Sequence, residues 1–254
     1  MHKISTDFIG KINHALQEFG ASEKIREMEV GFGGGKVPQH IVDFYLRDKN
    51  YFAFLLGVLY DQQMPAEVVW QIPYNMFKFL GHLEPKSIAN MSASEILSIF
   101  EQLPRKPRYP PQMAEQTVKA AQKVIKEYSG KVENIWAGNP TCSGVQKRFQ
   151  EFSGIGQKKA AMAVETLVKK YHYPLKDRSG LDIAADSLVI RVFKRCGFIE
   201  IEDKNLVIAK ARELNPEYPG ILDRPCWEIG RSYCFPQKPD CTNCPIGSVC
   251  LKQF

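Results

Sequence analysis

The chain has 254 residues, 44% of them hydrophobic, and a formal charge of +6. That apolar content supplies a core for one large domain or two lobes and excludes a disordered chain. The charge favours a polyanionic partner, while the lack of any apolar run near the roughly 20 residues of a bilayer span excludes membrane-crossing helices.

The first residues, Met1-His2-Lys3-Ile4-Ser5-Thr6-Asp7, lack a signal-peptide core. An intracellular monomer is expected, in the cytoplasm and nucleoid or in a nucleus. Apolar residues recur at helical rather than alternating spacing, which predicts an all-α protein. From Ile41 the chain grows apolar up to the run Tyr51-Phe52-Ala53-Phe54-Leu55-Leu56-Gly57-Val58-Leu59-Tyr60. One helix over 41–60 is expected at the centre of a helical domain.

Asp61-Gln62-Gln63-Met64 follows. Asp61 reads as a surface position; facing a pocket, its carboxylate would accept hydrogen bonds from an amino group. The loop Arg105-Lys106-Pro107-Arg108-Tyr109-Pro110-Pro111 is stiffened by prolines. Val118, Ala121, Val124, Ile125 and Tyr128 then mark one face of an amphipathic helix that Ser129-Gly130 ends.

Phe152-Ser153-Gly154-Ile155-Gly156-Gln157-Lys158-Lys159-Ala160 sets Gly-x-Gly before a helical run. Glycines at a helix start let a phosphate approach exposed amides; in isolation the same pattern also makes a plain helix-turn-helix connection. An amine at that positive end, shielded from water, gives up its proton more readily and becomes a better nucleophile. Lys158 and Lys159 are the amines there, Lys159 reading as a phosphate contact or a solvated charge. The stretch from Lys169 to Arg178 mixes bases and aromatics, suiting either a nucleic-acid contact or a solvated loop with packed tyrosines. Asp186 precedes the apolar positions Leu188, Val189 and Val192 and suits a helix N-cap.

Seven cysteines is an odd number for a disulfide framework. Cys234-x6-Cys241-x2-Cys244-x5-Cys250 gathers four soft donors, suited to an iron–sulfur cluster or to tetrahedral zinc. Cys142, Cys196 and Cys226 read as small buried side chains without special chemistry.

Gly230-Arg231-Ser232-Tyr233-Cys234 with Lys238-Pro239-Asp240-Cys241-Thr242-Asn243-Cys244-Pro245 resembles the C-terminal cluster loop of endonuclease III. The Gly154–Lys158 segment resembles the helix-hairpin-helix of the same DNA glycosylase superfamily, and Ile183 to Val192 resembles the segment carrying its essential aspartate. The resemblance runs from about Tyr51 to Cys250 and implies a two-lobed helix-hairpin-helix glycosylase fold. One lobe would be a helical barrel over 45–177; residues 1–44 and 178–254 would form an iron–sulfur domain with a [4Fe-4S] cluster on the four cysteines.

By the same resemblance, Lys158 and Asp186 are the catalytic pair of a base-excision enzyme acting on double-stranded DNA with a damaged or modified base, oxidised pyrimidine by default. Attack by Lys158 on the sugar would add strand-nicking lyase activity. Gln62 or Gln63 would fill the gap left by the extruded base, and Arg108 or Tyr109 would wedge into the duplex. Gly154, Gly156, Gln157, Lys159, Arg231 and Lys238 would hold the DNA. Two departures qualify the substrate. The stretch between Lys158 and Asp186 is longer than is usual in endonuclease III, and Val58 stands where adenine-specific relatives carry a glutamate. A glycosylase without lyase activity and a non-catalytic iron–sulfur reader of DNA structure are the alternatives.

Overall fold

The computed structural model describes residues 6–28 and 37–253. Among them all regular structure is helical and no strand occurs, as the apolar spacing predicts. The chain divides into two compact units. One comprises the N-terminal segment up to Glu27, Thr141–Ser143 and Asp177 onward; the other comprises Met28–Pro140 and Gly144–Lys176.

In chain order, α1 (Thr6–Gly20) and α2 (Glu23–Met28) belong to the first unit, and α1 sets Ile12 and Leu16 fully into its core. The second unit opens with α3 (Gln39–Leu46) and α4 (Tyr51–Tyr60). The single helix expected over 41–60 is thus two. Asn50 Nδ2 donates to Phe44 O at the end of α3, and Lys49 adopts a positive φ of 54°, so the polar stretch from Arg47 to Asn50 turns the chain. Residues 37–44, expected with the N-terminal segment, lie instead in this unit. The cause is aromatic packing: Phe44 meets Tyr74 and Phe77, and Tyr45 meets Trp70.

α4 is buried from Phe52 through Tyr60, as an all-round apolar helix requires. Around it stand α5 (Ala66–Val69), α6 (Gln71–Leu80), α7 (Pro85–Ala89), α8 (Ala93–Gln102) and α9 (Pro110–Tyr128). A reciprocal Ser92–Glu95 capping box starts α8. α9 stops where predicted: Ser129 and Gly130 turn left-handed, and Gly130 N donates to Val124 O at 3.0 Å. α10 (Cys142–Gln150), which belongs to this unit from Gly144 on, and α11 (Gln157–Lys169) complete the run, and α11 packs on α4.

The first unit resumes with α12 (Ser187–Arg195), α13 (Lys204–Leu214) and α14 (Asp223–Ser232). Its core joins Ile12 and Leu16 to Ile183, Val189, Val192, Phe193 and Ile229. No helix among the described residues is long and apolar enough to cross a membrane.

Candidate functional site

In the hairpin, Gly154 takes a φ of +89° that a side chain would resist, and a Cβ there would lie 2.3 Å from Gln116 Oε1. Gly154 and Gly156 are exposed, and Gly156 stands at the N-cap of α11. Their backbone is open to an approaching anion.

Lys158 lies in the first turn of α11 with its side chain 40% exposed, and its Nζ sits 3.0 Å from Asp61 Oδ2. Asp61, expected at the surface, is the C-cap of α4, with only 12% of its side chain exposed. The shielded amine expected at Lys158 is found one residue later. Lys159 is 8% exposed and donates to Leu59 O at 2.6 Å and Gly154 O at 2.9 Å. Assigning Lys159 to DNA is therefore corrected: it ties the hairpin to the end of α4.

Burial pushes the Lys159 amine down from 10.5 to about 8, against the pull of Asp61 and with help from the Lys158 charge. Its charged form is thus disfavoured in the folded chain. Between about 8 and 10.5 the unfolded chain binds more protons, so this group makes stability rise with pH across that window. Thermal melts should show the wild type gaining on Lys159→Met as pH climbs through the same range.

Gln63 and Tyr109, predicted separately, meet. Both are exposed with φ values of 52° and 57°, and the Tyr109 hydroxyl donates to Gln63 Oε1 at 3.1 Å. The Arg108 guanidinium lies 5.3 Å from the Tyr109 ring centroid, and its backbone N–H reaches Met64 Sδ at 3.1 Å. Two loops thereby present one exposed amide–phenol–guanidinium tip. Gln62, next to Gln63 in the chain, is half-buried.

Asp186 is the N-cap of α12, with Oδ1 accepting from Leu188 N at 2.9 Å and Val189 N at 3.0 Å. Capping and chemistry are compatible, since one carboxylate oxygen holds both amides and the other carries no part of the cap.

All four motif cysteines line one pocket, together with Val192, Ile229 and Ile246. The Cys244 thiol is raised to about 11, first by burial and further by the nearby Cys250, Cys234 and Cys241. Among the described residues no three His, Cys, Asp or Glu side chains are grouped to hold a metal ion. Cys142 and Cys226 are fully buried, as expected. Cys196 is buried too, at 1% exposure, and it lines the same pocket with its Sγ 3.9 Å from Cys250 Sγ.

Sequence reasoning missed the two arginines that hold this loop. Arg191 donates from Nε to Cys234 O at 2.7 Å and from Nη2 to Gly230 O at 2.8 Å. Arg195 donates to Phe235 O and Pro236 O, both at 2.7 Å, and to Cys234 Sγ at 3.3 Å. Their spacing of four on one helix was the available signal. Arg231 and Lys238 are exposed, and the Arg231 guanidinium also rests 5.1 Å from the Trp227 ring centroid. In the 169–178 stretch, Tyr171 packs against Phe54 and Tyr51, so that ring is structural.

No family model matches the chain. An adenine DNA glycosylase of Arabidopsis thaliana is 32% identical over 122 residues, which span 46% of this chain and 18% of that protein. Endonuclease III trapped as a covalent intermediate with DNA, an estranged-adenine complex, superposes with a TM-score of 0.61 at 19% identity over 84% of this chain and 92% of that one. A non-covalent endonuclease III–DNA complex gives 0.60 at 19% identity over the same shares. A thermostable thymine-DNA glycosylase gives 0.64 at 19% identity, covering 97% of each chain. The chain has the endonuclease III-like, all-helical helix-hairpin-helix fold.

Proposed function

We propose that this protein is a DNA glycosylase of base-excision repair, acting on double-stranded DNA with a damaged or modified base through Lys158 and Asp186. The observation that carries this reading is the placement of Lys158 in the first turn of α11, directly behind the exposed Gly154-x-Gly156 turn, on an endonuclease III-like fold. Hairpin amides at Gly154, Gly156 and Gln157 would take a backbone phosphate, and the exposed Arg231 and Lys238 would add cationic contacts. The Gln63–Tyr109–Arg108 tip, with Gln62, would occupy the gap left by an extruded nucleotide.

Asp186 would oppose the positive charge that develops on the sugar as the base leaves. Lys158 would then bond to C1′ as the C1′–base bond breaks, the base departing with the bonding electrons. Oxidised pyrimidine remains the default substrate from the family resemblance. Val58, fully buried in α4, supplies no carboxylate of the adenine-specific kind.

Cys234, Cys241, Cys244 and Cys250 would hold a [4Fe-4S] cluster. Four soft thiols lining one pocket suit such a group, and the family resemblance favours it over one zinc ion. Such a group would supply structural closure of the loop, and the reaction steps belong to the side chains of the chain itself.

A panel of damaged and modified duplexes, scored for base release and for borohydride-trapped adduct, tests the proposal. Base release with an adduct that disappears in Lys158→Ala is the expected result. Selective binding without release from any duplex returns the non-enzymatic reading. A second reading, base release without nicking, is favoured by the Lys158–Asp61 ion pair, which opposes a free amine. Release with no adduct at any pH would establish it.

A further inference from the structure

Asp61 ends α4, the helix against which α11 packs, and it is mostly withdrawn from water 3.0 Å from the Lys158 amine. Lys159 is a further charged group bearing on the pair, and its amine is committed to Leu59 O and Gly154 O. The neighbouring Tyr60 turns its hydroxyl away to Thr117 at 2.7 Å. Asp61 therefore acts on Lys158 directly, and a carboxylate at this range makes an ammonium hold its proton more tightly.

We propose that Asp61 is a positioning residue that restrains the covalent step: paired with Lys158 it keeps that amine protonated, so attack on C1′ requires a higher pH than it would without the Asp61 charge. The inference rests on the glycosylase reading for its consequence, but not for the ion pair itself. On an abasic sugar the step is simple to balance. The Lys158 ammonium gives up a proton, its lone pair bonds to the aldehyde carbon C1′, and the carbonyl oxygen leaves as water carrying two nitrogen protons. A protonated imine remains, which borohydride reduces to a stable amine.

The test compares wild type, Asp61→Asn and Asp61→Glu by trapping on an abasic duplex across a pH series. With its charge removed, Asp61→Asn should form roughly tenfold more adduct at pH 7, its profile moving about one unit lower. Asp61→Glu should keep the wild-type profile. A gain of reactivity cannot come from misfolding. An unchanged or weaker Asp61→Asn reaction overturns the inference. Titration of the Lys158 side chain by NMR in the DNA-free proteins gives an independent decision: a midpoint unmoved by Asp61→Asn also overturns it. The failure of wild type to release any base from the lesion panel would count against the glycosylase reading instead, and the titration would still decide the ion pair.

Discussion

On the glycosylase reading, Asp186→Asn should lower base release by roughly 10²- to 10³-fold while leaving the fold in place. The substitution separates the two roles of this side chain. Asparagine caps helices about as well as aspartate, so its oxygen keeps accepting from Leu188 N and Val189 N. Only the negative charge is lost. A melting temperature near that of wild type, measured beside single-turnover base release, assigns the loss to chemistry. Asp186→Ala removes the cap as well and should cost about 1 kcal/mol of stability besides. Full activity in Asp186→Asn would remove this carboxylate from the mechanism and leave it as a helix cap.

On the cluster reading, Gly247→Ala should strip most of the iron and acid-labile sulfide from the purified protein. A Cβ at this position would stand 2.1 Å from Cys241 O and 3.1 Å from Cys244 O. Both obstacles are backbone, so no side chain can swing aside. Gly247 N also donates to Cys244 O at 2.8 Å, closing the turn that presents these two thiols. The turn must open to admit the methyl group, and two of the four donors move with it. Lys238→Ala, at an exposed position of the same loop, should retain wild-type iron. Iron retained in Gly247→Ala would mean that the loop tolerates distortion. Zinc in the wild type would refute the cluster.

Local signals in the sequence translated well into local structure. The periodicity of Val118 to Tyr128 and the Ser129-Gly130 stop describe the end of α9, and Asp186 before an apolar run is the N-cap of α12. The cysteine spacing marks residues that share a pocket. What stayed hidden depends on contacts distant in sequence or on fine phase along a helix. Asp61 and Lys158 are 97 positions apart, and no local pattern announces their ion pair. The break between α3 and α4 was masked by apolar residues on both sides of a four-residue polar turn.

The choice between Lys158 and Lys159 was legible and missed. Lys159 shares the phase of Ala163 and Leu167, both fully buried, whereas Lys158 lies about 100° around the helix. Counting by fours would have sent Lys159 inward.

Arg191 and Arg195 grip the cysteine loop from the same helix that Asp186 caps, and Gln253 N returns the chain to Arg195 O at 3.1 Å. That helix is nine residues long, about 13 Å from end to end. It therefore tolerates substitution on its outer face but not a change of length. One residue inserted between Asp186 and Arg191 would rotate both guanidinium groups by about 100° relative to the carboxylate and withdraw them from the loop carbonyls. A change of length in α12 would thus part the Asp186 cap from the grip on the cysteine loop.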